Sequence, residues 1–145
     1  MIGGLAGWAG RSVVRERLLP RRKVFVSFDF DNDQALKHFV VGQAKHPKYG
    51  FEVVDHSLKE AAPDRSWKQR AMSAITRSDV VLVIVGRSTH RALGVLAEIK
   101  MARAAGIRVV QMIGYRSGSY TAVPGAGRLY QWNRENLRKL LSHTA

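Results

Sequence analysis

At 145 residues with no cysteine, the chain has the length of one domain with its own core, and it can form no disulfide, thiolate zinc site or cysteine nucleophile. Its apolar share of 46% predicts a packed soluble protein, and its longest apolar run, Val80 to Val85, is too short to span a bilayer. The formal charge of +13 favours anionic partners without naming one: residues 1–23 carry six Arg/Lys against Glu16, and residues 116–145 carry five against Glu135, so the excess sits at the two ends.

Residues 1–22 read as a basic N-terminal extension, with a helix expected over Arg11 to Leu19, and residues 23–145 as one α/β domain. Met1 to Gly10 is apolar and glycine-rich, but arginines follow it instead of preceding it, so no signal peptide is expected there. A cytoplasmic protein without membrane contact is expected.

Lys23 to Phe28 reads as a first strand, and Asp31 to Lys45, with Ala35, Leu36, Phe39 and Val40 at helical spacing, as the helix after it. Phe51 to Val54 is a short second strand, and Asp55 to Arg65 a polar loop. Ser66 is placed to cap the next helix, with Gln69 as its capping-box partner and Trp67, Ala71, Ala74 and Ile75 as its buried stripe.

Val80 to Val85 is apolar throughout, as a central parallel strand covered on both faces requires. A helix is expected from about His90 to Ala105, with Leu93, Leu96, Ala97, Met101 and Ala104 facing inward and Gly106 as its C′ residue. Ile107 to Ile113 is a fourth strand, and Tyr115 to Gly127, rich in Gly and Ser, a long surface loop. Leu129 to Trp132 forms a short edge strand, and Asn133 caps a final helix carrying Leu137, Leu140 and Leu141.

Alternating strands and helices predict a three-layer, flavodoxin-like sandwich with a parallel sheet of order 2-1-3-4-5. Its crevice opens at the carboxyl ends of strands 1 and 3. Ser27, Phe28 and Asp29 end the first strand; Gly86, Arg87 and Ser88 end the third. Gly86 lets backbone approach a ligand closely, and Arg87 suits a phosphate. Ordinary turn chemistry, with Asp31 capping a helix, is the competing explanation for these polar strand ends. Glu98 is the only acid between Asp79 and Glu135, and the residues four away on its helix, Gly94 and Ala102, are small. It reads either as a carboxylate open to a ligand or as a surface glutamate beside Arg103. The five histidines show no metal spacing, and no glycine-rich phosphate fingerprint follows strand 1, which argues against a dinucleotide-binding dehydrogenase and a P-loop.

The run Val24 to Asp29, the strand closing in Val85-Gly86, the stretch Gly94 to Ile99, and Tyr130-Gln-Trp-Asn133 before a leucine-bearing helix resemble the TIR-like domain family. The nearest branch supplies the TIR-like subunit of the bacterial Thoeris anti-phage defence system. The resemblance covers roughly residues 23–143. It implies a TIR-type fold and NAD⁺ cleavage, by a hydrolase or a cyclase, with Glu98 as the catalytic residue and NAD⁺ as substrate instead of a cofactor. It also implies an ADP-ribose-type nucleotide signal, self-association, and a defence effector protein as partner. Gly94 stands where relatives often carry Trp, four residues before the glutamate.

In this reading Phe28 lines the cleft beside an aromatic ring, Asp29 binds a ribose hydroxyl, and Arg87 or Arg65 binds the pyrophosphate. Two alternatives remain open. One is a non-catalytic TIR-like signalling or assembly module, which Gly94 motivates. The other is a nucleotide- or nucleic-acid-binding protein, which the terminal arginines motivate; nucleic acid ranks last because no groove-reading helix or stacking platform is present in the pattern.

Overall fold

The computed structural model describes residues 21–45, 50–54 and 66–141. The expected helix over Arg11 to Leu19, the polar loop up to Arg65, and most of the N-terminal extension therefore lie outside the described residues.

Five strands form one all-parallel sheet of order β2-β1-β3-β4-β5: β1 (Lys23–Ser27), β2 (Glu52–Val53), β3 (Val80–Val85), β4 (Arg108–Ile113) and β5 (Leu129–Tyr130). Four α-helices connect and cover it: α1 (Leu36–Ala44), α2 (Trp67–Thr76), α3 (Leu93–Ala104) and α4 (Arg134–Leu141). This is the expected α/β architecture and strand order. Alternation along the strands sends Val24, Val26, Leu82, Ile84 and Met112 into the core shared with α1 and α4. Phe25, Val81, Val83 and Val85 enter the second core, against α2 and α3. All six residues of β3 are buried, which explains its unbroken apolar run.

Several boundaries move for identifiable reasons. The first helix begins at Leu36, not Asp31, because the Asn32 and Asp33 amides donate to the Asp29 carbonyl at 3.2 and 2.8 Å and fold that stretch into turns. The capping box before α2 does not form: Ser66 Oγ accepts a hydrogen bond from the Arg70 guanidinium instead. The third helix is preceded by a separate 3₁₀ turn, Thr89–Arg91, and its buried stripe is Val95, Ile99 and Ala102. Leu93, expected inside, is 82% exposed. That helix is apolar around most of its circumference, so periodicity alone does not fix which face meets the sheet.

Other termini behave as read. Gly106 has φ of +73°, its amide donates to Arg103 O at 3.2 Å, and the Ile107 amide donates to Ala102 O at 2.8 Å, the two bonds of a Schellman C-cap. Asn133 Oδ1 accepts from the Asn136 amide at 2.7 Å and starts α4.

The segment between β4 and β5 has no regular structure, yet it is anchored. Gln111 in β4 is fully buried; its Nε2 donates to Val123 O at 3.2 Å and Gly127 O at 2.6 Å, and its Oε1 accepts from the Val123 amide at 2.8 Å. Arg103 on α3 adds two hydrogen bonds to Gly125 O, at 2.9 and 2.6 Å. Gln111→Leu strands one buried N–H and two carbonyls at once. It should lower unfolding stability by about 3 kcal/mol, read as a lower urea midpoint at unchanged m, with faster hydrogen exchange at the Val123 amide.

Candidate active site

The carboxyl ends of β1, β3 and β4 meet at the switch point of the sheet, and Ser27 and Glu98 come together there. Ser27 ends β1 on the face that looks toward α2 and α3, and its side chain is buried. Glu98 lies on the flank of the buried stripe of α3, one position before Ile99. Ser27 Oγ donates to Glu98 Oε1 at 2.7 Å across 71 residues of sequence. The glutamate keeps some surface, but its carboxyl is sunk deep enough that burial pushes its pKa up to about 7. The Ser27 hydroxyl opposes that shift by stabilising the charged form. Arg103, the sequence-based candidate neighbour, is engaged with Gly125 instead.

The face of α3 that carries Glu98 has no side chain one turn earlier, at Gly94. The Trp67 indole from α2 stands there: a Cβ built on Gly94 would lie 3.7 Å from its Cζ2 atom. Trp67 is therefore half-buried between the two helices, while Ala71, Ala74 and Ile75 form the fully buried stripe of α2.

Asp33 organises a second part of the crevice. Its carboxyl is buried and packs directly on Gly86, where a Cβ would sit 2.4 Å from Asp33 Oδ2, so only glycine fits. Tyr115, just beyond β4, donates to Asp33 Oδ1 at 2.5 Å, and Thr89 Oγ1 reaches Oδ2 at 3.5 Å while accepting from the Gly86 amide at 2.7 Å. Burial raises the Asp33 pKa, with the neighbouring Asp29 adding to it, while the Tyr115 and Thr89 hydrogen bonds lower it. The Tyr115 hydroxyl is raised above its ordinary value by burial and then by its bond to Asp33. Above this cluster opens a cleft of about 510 Å³, walled by Asn32 and Asp33 after β1, Arg87 and Ser88 after β3, and Tyr115, Arg116, Ser117 and Tyr120 after β4. The Tyr115 and Tyr120 rings stack at 5.8 Å, with 9° between their planes.

Of the sequence-derived candidates, Ser27 and Glu98 form one pair, Arg87 and Ser88 line the cleft with Asp33, and Gly86 packs beneath the Asp33 carboxyl. Glu98 is not among the residues lining that cleft. Phe28 is not brought to Glu98: it points to the opposite face of the sheet, in the core with Val26 and Leu36, its ring 6.0 Å from that of Phe30. The Asp29 carboxylate holds its own turn, accepting from Asn32 Nδ2 at 2.7 Å. Arg65 lies outside the described residues. Asp33, Tyr115, Arg116 and Tyr120 escape sequence reading, because their meeting depends on a contact between residues 82 positions apart. Among the described residues no cluster of His, Asp and Glu is arranged to hold a metal ion, and no helix is long and apolar enough to cross a membrane.

A family model described as the TIR-like domain of Thoeris protein ThsB matches residues 25–115, more than half of the chain. No curated protein matches it. The matched span runs from β1 to the Tyr115 that closes on Asp33, and it contains both Ser27 and Glu98. On that match, together with the strand order and the paired strand ends, the chain belongs to the TIR-like domain family of Thoeris ThsB proteins.

Proposed function

We propose that this chain cleaves the nicotinamide–ribose bond of NAD⁺ and so makes an ADP-ribose-type nucleotide signal for bacterial anti-phage defence. The observation that carries the reading is the Glu98 carboxyl, drawn out of water at the switch point and held by Ser27 Oγ at 2.7 Å. Bond cleavage sends the electron pair to the pyridinium nitrogen, which leaves as neutral nicotinamide and needs no acid. The ribose is left as an oxocarbenium-like cation, as in glycoside hydrolysis. One ionised carboxylate in a poorly solvated site stabilises that cation far better than water does. Capture by water, which loses a proton, gives ADP-ribose; capture by an internal adenine or ribose atom gives a cyclic product.

The Trp67 indole of α2 stands 3.7 Å from where a Cβ on Gly94 would lie, so an aromatic ring is present at the turn of α3 before Glu98. This supports the enzymatic reading over that of a module without activity. In the proposed setting the protein acts in the cytoplasm, self-associates, and addresses a defence effector through its nucleotide product.

Glu98→Gln removes the charge and keeps the shape. Nicotinamide release from NAD⁺, followed at high protein concentration to allow self-association, should fall by at least about a hundredfold. Turnover that survives the substitution would overturn the assignment.

The ionisation of Glu98 gives a second test. The reaction uses the carboxylate, so kcat/KM should rise with pH along a limb centred near 7, and Ser27→Ala, which deletes the hydrogen bond favouring the charged form, should move that limb to higher pH. Stability runs the other way. The folded pKa lies above the ordinary 4.5, so between pH 4.5 and 7 the folded chain keeps a proton that the unfolded chain has released. Wild type should therefore lose stability relative to Glu98→Gln as pH rises through that window, by at most roughly 3 kcal/mol, and the gap should level off above it. Parallel urea midpoints of the two proteins from pH 4 to pH 8 measure it.

A further inference from the structure

We infer that the outer surface of α2 and α3 is a docking face for an acidic protein segment with an apolar anchor, Lys68, Arg77, Arg91 and Lys100 meeting its carboxylates and Leu93 its anchor. The inference concerns a helix face and does not depend on cleavage at Glu98.

The two helices cover one side of the sheet together, sharing the core of Ala71, Ile75, Val95 and Ile99, so their outward side chains make up one layer. No acid is exposed on either helix. The one carboxyl they carry, Glu98, is sunk and bonded to Ser27. Asp79, just beyond the end of α2, is taken by the Lys23 amide at 2.8 Å and by Arg22 at 3.7 Å. Lys68, Arg77 and Lys100, with Arg91 just before α3, are exposed, and none of them forms an ion pair among the described residues. A solvated helix surface ordinarily intersperses both signs of charge; here nothing on the layer cancels the positive field.

Apolar groups stand out of the same layer. Among the described residues the exposed large hydrophobics are Leu93, 82% open at the first position of α3, and Met72, 37% open on α2, and both fall on this face. The combination selects the occupant. A second copy meeting this face across a twofold axis would set the cations against themselves. Elsewhere the exposed acids among the described residues are Asp31, Glu52, Asp79 and Glu135, scattered over four parts of the fold, so the chain has no acidic face of its own to offer. Nucleic acid would satisfy the cations and leave Leu93 against sugar and phosphate. A lipid surface would take Leu93, but one leucine buries less than the single acyl chain that by itself gives only marginal attachment. An acidic segment with an apolar side chain among its carboxylates uses both features at once.

The test is titration of the full chain into a labelled helical peptide of glutamates with leucines along one side, followed by fluorescence anisotropy. The same peptide with serine for leucine, a labelled DNA duplex, and vesicles of phosphatidylcholine with phosphatidylserine are run beside it. The leucine peptide is expected to bind most tightly of the four, and more weakly as salt is added. Leu93→Ser alters an exposed side chain and opens no core; it should weaken the leucine peptide about tenfold and leave the serine peptide unchanged. Lys68→Glu and Lys100→Glu should each weaken both peptides about five- to tenfold. Lys139→Glu makes the same change in net charge at an exposed position of α4, across the sheet, and should change neither. The inference is overturned if the leucine peptide does not bind, if the serine peptide binds as tightly, or if Lys139→Glu weakens binding as much as Lys100→Glu. Tighter binding of the duplex or of the vesicles than of the leucine peptide would overturn it as well.

Discussion

Withdrawing a carboxyl from water is costly unless something replaces the lost solvation, and at Glu98 the replacement seen among the described residues is a single hydroxyl, Ser27 Oγ at 2.7 Å. One neutral hydrogen bond does not restore what bulk water gives a charge, which is why the pKa settles near 7 and not near its ordinary value. Much of the surrounding architecture can be understood as what holds this poorly compensated group in place. Ser27 must end its strand facing α3, which the alternation along β1 requires once Val24 and Val26 are committed to the other core. Glu98 must sit on the flank of the helix stripe, near enough to the sheet to reach Ser27 and far enough round to keep some surface. Moving the stripe by one residue would bury the charge fully or release it to solvent.

A second constraint acts at the same sheet edge and has the opposite electrostatic character. Asp33 ties three strand ends together: its own backbone turn follows β1, its carboxyl rests on Gly86 after β3, and Tyr115 reaches it from beyond β4. These contacts take the carboxylate oxygens out of circulation, so the neighbouring cleft is governed by Arg87 and Arg116. The edge thus offers an acidic group toward the α2–α3 side and basic groups toward the β4 side. A parallel sheet produces this separation naturally, since successive strand ends open loops that lie side by side but face different layers.

Most of the fold was legible because its signals are local or global, with little in between. The unbroken apolar run Val80–Val85 has few explanations other than a central strand, and Gly106 and Asn133 mark helix termini through bonds formed within a few residues. The strand order follows from the alternation of elements and the handedness of crossovers. The site was only half legible. Glu98 stands out as the one acid in a long stretch, but its partner could not be read, because α3 is apolar on nearly every side and its phase against the sheet is settled by packing. Phe28 shows the same limit from another direction: next to Ser27 in sequence, it lies across the sheet from it, since neighbours on a strand point to opposite faces. Asp33 was invisible for a plainer reason, as an acid in a turn near other acids carries no mark of a tyrosine 82 residues away.

The aromatic at the glutamate shows how a departure at one position can be met by geometry elsewhere. Gly94 removes any side chain from the turn of α3 before Glu98, and an empty turn there would admit water toward the carboxyl. The Trp67 indole lies against that turn, yet it belongs to α2, whose first residue it is. Its placement therefore depends on where α2 begins, and that start is set beside Ser66, whose hydroxyl is engaged by Arg70 one turn further along the same helix. Supplying the ring from α3 would tie the cover over that turn to one helix. Supplying it from α2 makes the cover over that turn depend on how the two helices pack, so a shift of α2 against α3 would uncover the turn before Glu98 without touching either residue.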